Sequence, residues 1–192
     1  MKSPILSTPI RYPGGKSKAV KKLYPMLPNI GEYEEWREPF LGGGSMSIEI
    51  TKRFPDMKIW VNDLYPALYT FWTSVQSDGV EMMEKLMEMK SECYTPEEAK
   101  SMLGVQKEII NDDVSSKFDK AVAWYFANRN SFSGLTETGT YSDQANKMSF
   151  TTSIISKLPH YQKLIRNWKF TNGSYDVLLK DNNPKAFVYL DP

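Results

Sequence analysis

The chain has 192 residues, 41% of them hydrophobic, with 24 basic against 23 acidic side chains, which suits one sizeable core in a soluble globular fold. A single cysteine, Cys93, excludes any internal disulfide and any multi-cysteine zinc site, and a single histidine, His160, argues against a hydrolase-type triad or a histidine-rich metal site. The longest apolar stretch, Ala121 to Ala127, is far short of the roughly 20 residues that cross a bilayer, and the N-terminus lacks a signal-peptide core, so the chain reads as cytoplasmic, with no membrane and no metal.

The first segment, Met1 to Gly31, has no acid but carries Lys2, Arg11, Lys16, Lys18, Lys21 and Lys22. Within it lies RYPGGKSK, Arg11 to Lys18. Gly15, Lys16 and Ser17 match a phosphate-binding P-loop, but the glycine that should open the motif is Ile10, and Pro4 and Pro9 suit a buried strand poorly. Paired glycines beside a lysine also let backbone and ammonium approach a carboxylate closely.

From Glu35 to Val75 the texture is α/β. The pattern predicts a strand ending at Arg37 to Phe40, a turn at Gly42 to Gly44, and a helix capped by Ser45 with Met46, Ile50 and Phe54 on one face. A second strand follows at Lys58 to Val61, then a helix with Leu64, Leu68, Phe71, Trp72 and Val75 as its buried stripe. In EPFLGGGS, Glu38 to Ser45, glycines permit close approach to a ligand, and an acid about twenty residues on, here Asp63, can take two ribose hydroxyls. Ser47 replaces the third glycine of the dinucleotide fingerprint, so the loop suits an adenosine-bearing cofactor in general, while a glycine triplet after a strand is equally a tight turn.

Ser77 to about Ala127 is helical only, and Asp78 to Asp119 is strongly acidic. Thr95, Pro96, Glu97 and Glu98 make a capping box with proline in the first turn, and Ala99, Met102, Leu103, Gln106, Ile109 and Ile110 follow as the apolar face. A further helix turns Phe118, Ala121, Val122, Tyr125 and Phe126 inward, and the methionines at Met82, Met83, Met87, Met89 and Met102 read as core filler. Asn128 to Phe150 is polar and aperiodic, a candidate functional loop. A short helix near Tyr161 to Arg166 and strands at Trp168 to Thr171 and Ala186 to Leu190 restore the α/β pattern. Gln144 to Tyr175 again lacks acids, so the basic segments are either solvated faces or a groove for a polyanion. The simplest organisation is an α/β domain, residues 1–76 and 151–192, interrupted by a helical insertion, residues 77–150. The final strand runs into Asp191 and Pro192, which alone would be an ordinary turn.

In order, these pieces resemble the Dam-type adenine-specific DNA methyltransferases. Tyr12 before Pro13, Gly14, Gly15 and Lys16 matches the aromatic residue before the family's GGK loop; Glu38 to Ser45 matches its glycine-rich loop; Asp63 in VNDLYPAL is the acid after the second strand; NRNSFSGL, Asn128 to Leu135, matches the long-loop motif; and FVYLDP begins as the catalytic Asp-Pro-Pro-Tyr strand does. The resemblance implies a Rossmann-like S-adenosylmethionine-dependent methyltransferase sheet with a helical DNA-recognition insertion, its C-terminal strands missing. It implies S-adenosyl-L-methionine bound by Tyr12, Lys16, Phe40, Gly42, Asp63, Asp176 and Asp191, catalysis by Asp191 and Pro192, and double-stranded DNA with a flipped adenine as substrate. Arg129, Asn130, Ser131 and Ser133 are the implied DNA contacts, with Arg129 paired to acids of the insertion as the structural alternative. Many relatives place an arginine after the Gly-Leu pair, whereas this chain continues Thr136, Glu137, which leaves the target sequence open. Since the catalytic tetrapeptide is half present, a further expectation is an uncovered sheet edge and weak or absent transfer by this length of chain. The alternatives are a non-catalytic DNA- or cofactor-binding remnant and a nicotinamide-dependent oxidoreductase built on the Gly42 loop.

Overall fold

The computed structural model describes residues 5–93 and 95–192; Lys2 and Pro4 lie outside them. In chain order the elements are α1 (Val20–Leu23), β1 (Glu35–Glu38), α2 (Ser45–Arg53), β2 (Lys58–Asp63), α3 (Pro66–Glu92), α4 (Pro96–Asn111), α5 (Lys117–Asn130), α6 (Asp143–Ser149), α7 (Thr152–Ile155), α8 (Leu158–Ile165), β3 (Lys169–Asn172), α9 (Asp176–Lys180) and β4 (Ala186–Val188).

The four strands form one sheet in the order β3-β2-β1-β4, and every pairing is parallel. Parallel neighbours need crossover connections, which puts helices over the faces and buries the strands. The alternation of β1 shows both layers. Trp36 donates from Nε1 to Ser47 Oγ of α2 at 2.9 Å and stacks on Phe187 and Tyr189, with ring centroids 5.4 Å apart in each case. Arg37, next in sequence, points to the other face, where its Nη1 donates to the carbonyls of Leu178 and Asp181 at 2.6 Å each, around the end of α9. A parallel sheet wound on both sides follows from a period of two in one short strand. Lys169 of β3 and Arg37 both lie over the ring of Trp60, at 3.4 and 5.0 Å from its centroid.

The helices add a second packed region in which Phe71 of α3 meets Trp124 and Tyr125 of α5, with centroids 5.0 and 5.5 Å apart. The Thr95 capping box is present: Thr95 Oγ1 accepts from Glu98 N at 3.2 Å, and Glu98 Oε2 accepts from Thr95 N at 2.8 Å. Met82 and Met89 are buried in the core, with Met83, Met87 and Met102 packed against it.

Some sequence expectations shift. α3 begins only at Pro66, whose ring sets the first turn, so Leu64 lies before the helix and is 72% exposed instead of in the buried stripe. The helical segment continues past residue 77 but is kinked at Asp78, whose dihedrals are non-helical (φ -127°, ψ 30°). Segment 128–150 is more regular than its composition suggests: Asn128 to Asn130 still belong to α5, and Ser142 caps α6 by accepting from Ala145 N at 3.2 Å. β4 stops at Val188, short of Leu190, although Tyr189 N still donates to Arg37 O at 2.8 Å.

Candidate active site

The chain passes from β1 outward to β2 and β3, then returns to place β4 on the opposite side of β1. At such a reversal the loops leaving the two adjacent strands diverge and open a crevice at their carboxyl ends. The loops after β1 and β4 do so here. Residues 12–16, Glu38, residues 40–46, Asp191 and Pro192 line one cavity of about 120 Å³. That is well below the roughly 300–1,000 Å³ that encloses a drug-sized ligand, so it fits one end of a larger molecule.

Backbone conformation builds the floor. Gly42 and Gly44 have φ of +46° and +63°, and a Cβ on Gly42 would lie 2.8 Å from the Tyr12 ring. Only glycine takes such dihedrals without strain, and only glycine lets Tyr12 lie this close. Trp72 of α3 braces the turn, donating from Nε1 to Gly42 O at 3.1 Å. The tight turn also moves the start of the helix: Gly44 is the N-cap, Ser45 is the first helical residue, and the expected Ser45 cap is not made. Ser45 Oγ is buried without a hydrogen-bond partner, in the wall of the cavity. An orphan hydroxyl in the first turn of a helix is fitted to a polar or anionic ligand group.

Asp63, at the end of β2, accepts from Gly42 N at 2.9 Å through Oδ2 and from Tyr65 N at 3.0 Å through Oδ1. Each carboxylate oxygen keeps a lone pair for further donors. Tyr12, beside it, has its phenol held protonated above the usual range by burial and by the Asp63 charge. Lys16 donates from Nζ to Asp191 Oδ1 at 2.7 Å and to Gly14 O at 3.1 Å. Phe40 packs against Tyr175, with centroids 5.4 Å apart.

Glu38 was not among the residues that sequence reasoning assigned to the site. Its carboxyl lines the cavity, accepting from Ser47 N at 3.1 Å and from Ser47 Oγ through Oε2. Burial raises it from 4.5 to about 7, against the lowering effect of the Ser47 and Trp36 hydrogen bonds, and the neighbouring Asp191 charge raises it further. The available signal was its place in the closing residues of the predicted strand, as the first residue of the EPFLGGGS loop.

Asp176 is not brought to this cavity: it opens α9 and pairs with Lys180, which holds its carboxyl below the ordinary range. The expected DNA contacts divide. Arg129, Asn130 and Ser131 are buried, and their side chains are turned to the interior, so they do not reach outward to phosphates or base edges. Arg129 donates from Nη2 to Pro9 O and lies over the Tyr125 ring, so its partner is backbone and not an acid of the insertion. Asn130 donates to Phe126 O at 2.8 Å and accepts from Asn146 Nδ2 at 2.6 Å, and Ser131 O accepts from Arg11 Nη1 at 2.7 Å. Ser133 alone is exposed, beside the exposed ring of Phe132. Asn128 supplies what sequence reasoning missed: its Oδ1 accepts from Arg11 N at 2.9 Å and its Nδ2 donates to Arg11 O at 2.8 Å, which staples the GGK loop to the end of α5. Among the described residues, no helix is long and apolar enough to cross a membrane, and no cluster of three His, Cys, Asp or Glu residues could hold a metal ion.

A four-stranded parallel sheet, wound on both faces and with its cavity at the strand-order reversal, defines an α/β protein of the Rossmann-like class. The chain belongs to the D12 class N6 adenine-specific DNA methyltransferase family, which matches residues 12–192. It is similar to the Type II methyltransferase M.MjaIII of Methanocaldococcus jannaschii, at 24% identity over 199 residues that cover 95% of this chain and 67% of that protein. The protein is an adenine-specific DNA methyltransferase acting on DNA with a methyl donor.

Proposed function

We propose that the methyl donor is S-adenosyl-L-methionine and that the acceptor is the exocyclic amine of an adenine turned out of double-stranded DNA. The observation that carries this reading is the meeting of Lys16, the Gly42 loop, Glu38 and Asp191 around one cavity. Bound there, S-adenosylmethionine supplies a methyl group activated by a positively charged sulfur. The residues fit it: the glycine turn admits a ligand to the backbone, the orphan Ser45 hydroxyl and the α2 N-terminus suit a carboxylate, and Asp63 suits ribose hydroxyls. Tyr12 and Phe40 offer aromatic faces beside the same loop, whereas Asp176, at α9, plays at most a peripheral part.

Adenine's amino nitrogen is a poor nucleophile because its lone pair is delocalised into the ring. Asp191 and the Pro192 carbonyl, both acceptors, take its two hydrogens and favour a pyramidal nitrogen whose lone pair faces the donor. Lys16 occupies one Asp191 oxygen and orients the carboxylate; the other oxygen is left for the base. Positioning and charge placement then perform most of the work, without a covalent enzyme intermediate. Extrusion of the base is required because its amine is not reachable inside the stack. The exposed Phe132 and Ser133 turn, together with Lys18, Lys21 and Lys22, all exposed, supply the surface for DNA.

The test is methyl transfer from labelled S-adenosylmethionine to unmethylated DNA, followed by base analysis. N6-methyladenine formed by the unaltered chain and lost in Asp191→Ala supports the reading; label in cytosine, or thermal stabilisation by NAD and not by S-adenosylmethionine, refutes it.

A further inference from the structure

The charges around the cavity do not balance. Its lining holds two carboxyl groups, Glu38 and Asp191, and one cation, Lys16. Lys16 is committed to Asp191 at 2.7 Å. Among the described residues Glu38 has no cation partner: it is buried at the end of β1 and held by uncharged groups, Ser47 at Oε2 and Trp36. The other ionisable groups nearby do not compensate it. Tyr189, just past the end of β4, has its phenol pushed up to about 12 by burial, with Asp191 and Glu38 adding to the rise, and so stays neutral. Asp63 is a further acid, outside the cavity lining, where it accepts from Gly42 N. Arg37, the preceding residue, faces the opposite side of the sheet and pairs with Glu35 and Asp181.

We infer that Glu38 is a specificity-determining residue that supplies the countercharge for the donor's sulfonium and thereby distinguishes donor from spent product. This rests on the proposed reading of the cavity as the donor site. The donor and the product carry the same zwitterionic amino-acid head and the same nucleoside; they differ in a methyl group and one positive charge at sulfur. A buried carboxylate without a cation is costly, so before the donor arrives Glu38 is partly protonated, consistent with its rise to about 7. A cation entering the cavity favours the carboxylate, and the carboxyl proton of Glu38 passes to solvent. The neutral thioether offers no such gain. Glu38 therefore acts on ligand choice and on product release, while Asp191 faces the base.

The experiment is calorimetric titration of the full chain with S-adenosylmethionine and, separately, with S-adenosylhomocysteine, at pH 6.5 in two buffers of different ionisation enthalpy. The expected result is proton release with the sulfonium compound and none with the thioether. The preference for the sulfonium compound should rise about tenfold between pH 6 and pH 8, as a single group near 7 ionises. In Glu38→Gln, which retains an acceptor for Ser47, both the proton release and this pH dependence should vanish. Equal proton stoichiometry for the two ligands in the unaltered chain overturns the inference without recourse to any variant, and so does an unchanged preference in a folded Glu38→Gln. If neither ligand binds the unaltered chain, the donor assignment itself fails, and the inference with it.

Discussion

The glycine turn between β1 and α2 and the polar C-terminal end of α5 both grip the loop that carries Tyr12, yet their polar groups end in opposite places. In the turn, backbone dihedrals do the shaping, so Ser45 Oγ, Glu38 and Asp191 remain directed at a cavity. At the helix end, side chains do the shaping: Asn128 and Arg129 are consumed by backbone groups, and Asn130 by the Phe126 carbonyl and Asn146. Polar residues around such a loop therefore fall into two kinds, those that hold the chain and those left over for a ligand. The spacing of residues in a sequence does not separate them; the destination of each hydrogen bond does.

The comparison breaks most sharply at Asp191. Asp191→Ala is expected to cut methyl transfer by about 1,000-fold or more, the range for loss of a positioned acceptor at a reacting centre, with little change in melting temperature because the partly exposed carboxylate pairs, among the described residues, with Lys16 alone. Retention of activity within tenfold would remove it from the chemistry.

Glu38 gives the next largest effect, on stability against pH. Its carboxyl titrates near 7 in the folded chain and near 4.5 when exposed, so the folded state binds the extra proton between those values. The favourable contribution is complete below about 4.5 and fades as pH rises through 7, a loss of roughly 3 kcal/mol for a shift of that size. Urea unfolding at pH 5 and pH 8 should show this decline in the unaltered chain and a flatter response in Glu38→Gln. Parallel curves for the two proteins would mean that Glu38 is not buried as described.

Asn128→Ala should cost about 2–3 kcal/mol in urea unfolding, since buried amide and carbonyl groups of Arg11 and Gly134 lose their partner. Here stability falls first and activity follows, the reverse of Asp191. Gly42→Ala should cost about 1–2 kcal/mol from the positive φ alone, and should also weaken donor affinity, because the new Cβ meets the Tyr12 ring at 2.8 Å. Smallest of all, Ser133→Ala should leave stability within about 0.5 kcal/mol, as the side chain is exposed; a fall in DNA affinity measured by fluorescence anisotropy would mark this residue as left over for the ligand, and none would place it outside the DNA surface.

Much of the scaffold was legible because local chemistry dictates it. The Thr95 box, the apolar face of α4 at Ala99, Leu103 and Ile110, and the inward side of α5 at Ala121, Val122, Tyr125 and Phe126 all appear as their spacing required. The glycine loop was legible as a turn, whereas only the family resemblance put Lys16 and Asp191, 175 residues apart, in one site. What stayed hidden depended on tertiary partners. Ser45 reads as a cap until the two left-handed glycines shift the helix start by a residue. Arg129 reads as a DNA contact or a partner for acids of the insertion until Pro9 O and the Tyr125 ring are placed beside it. The polarity of Glu38 reveals nothing of its burial, which comes from strands on both sides of β1.

One pairing in the sheet has a kinetic consequence. β1 meets β2 over a short crossover, Glu35 opposite Lys58, whereas the same strand meets β4 only across most of the chain, Glu35 opposite Ala186. Closing so long a loop is entropically slower than closing a short one. The glycine turn and Asp63 should thus be in place while Asp191 is still unmoored, so that the half of the crevice assigned to the donor matures before the half assigned to the base. Pulsed hydrogen-exchange labelling during refolding should find the β2 amides protected earlier than that of Tyr189, and simultaneous protection would rule this order out.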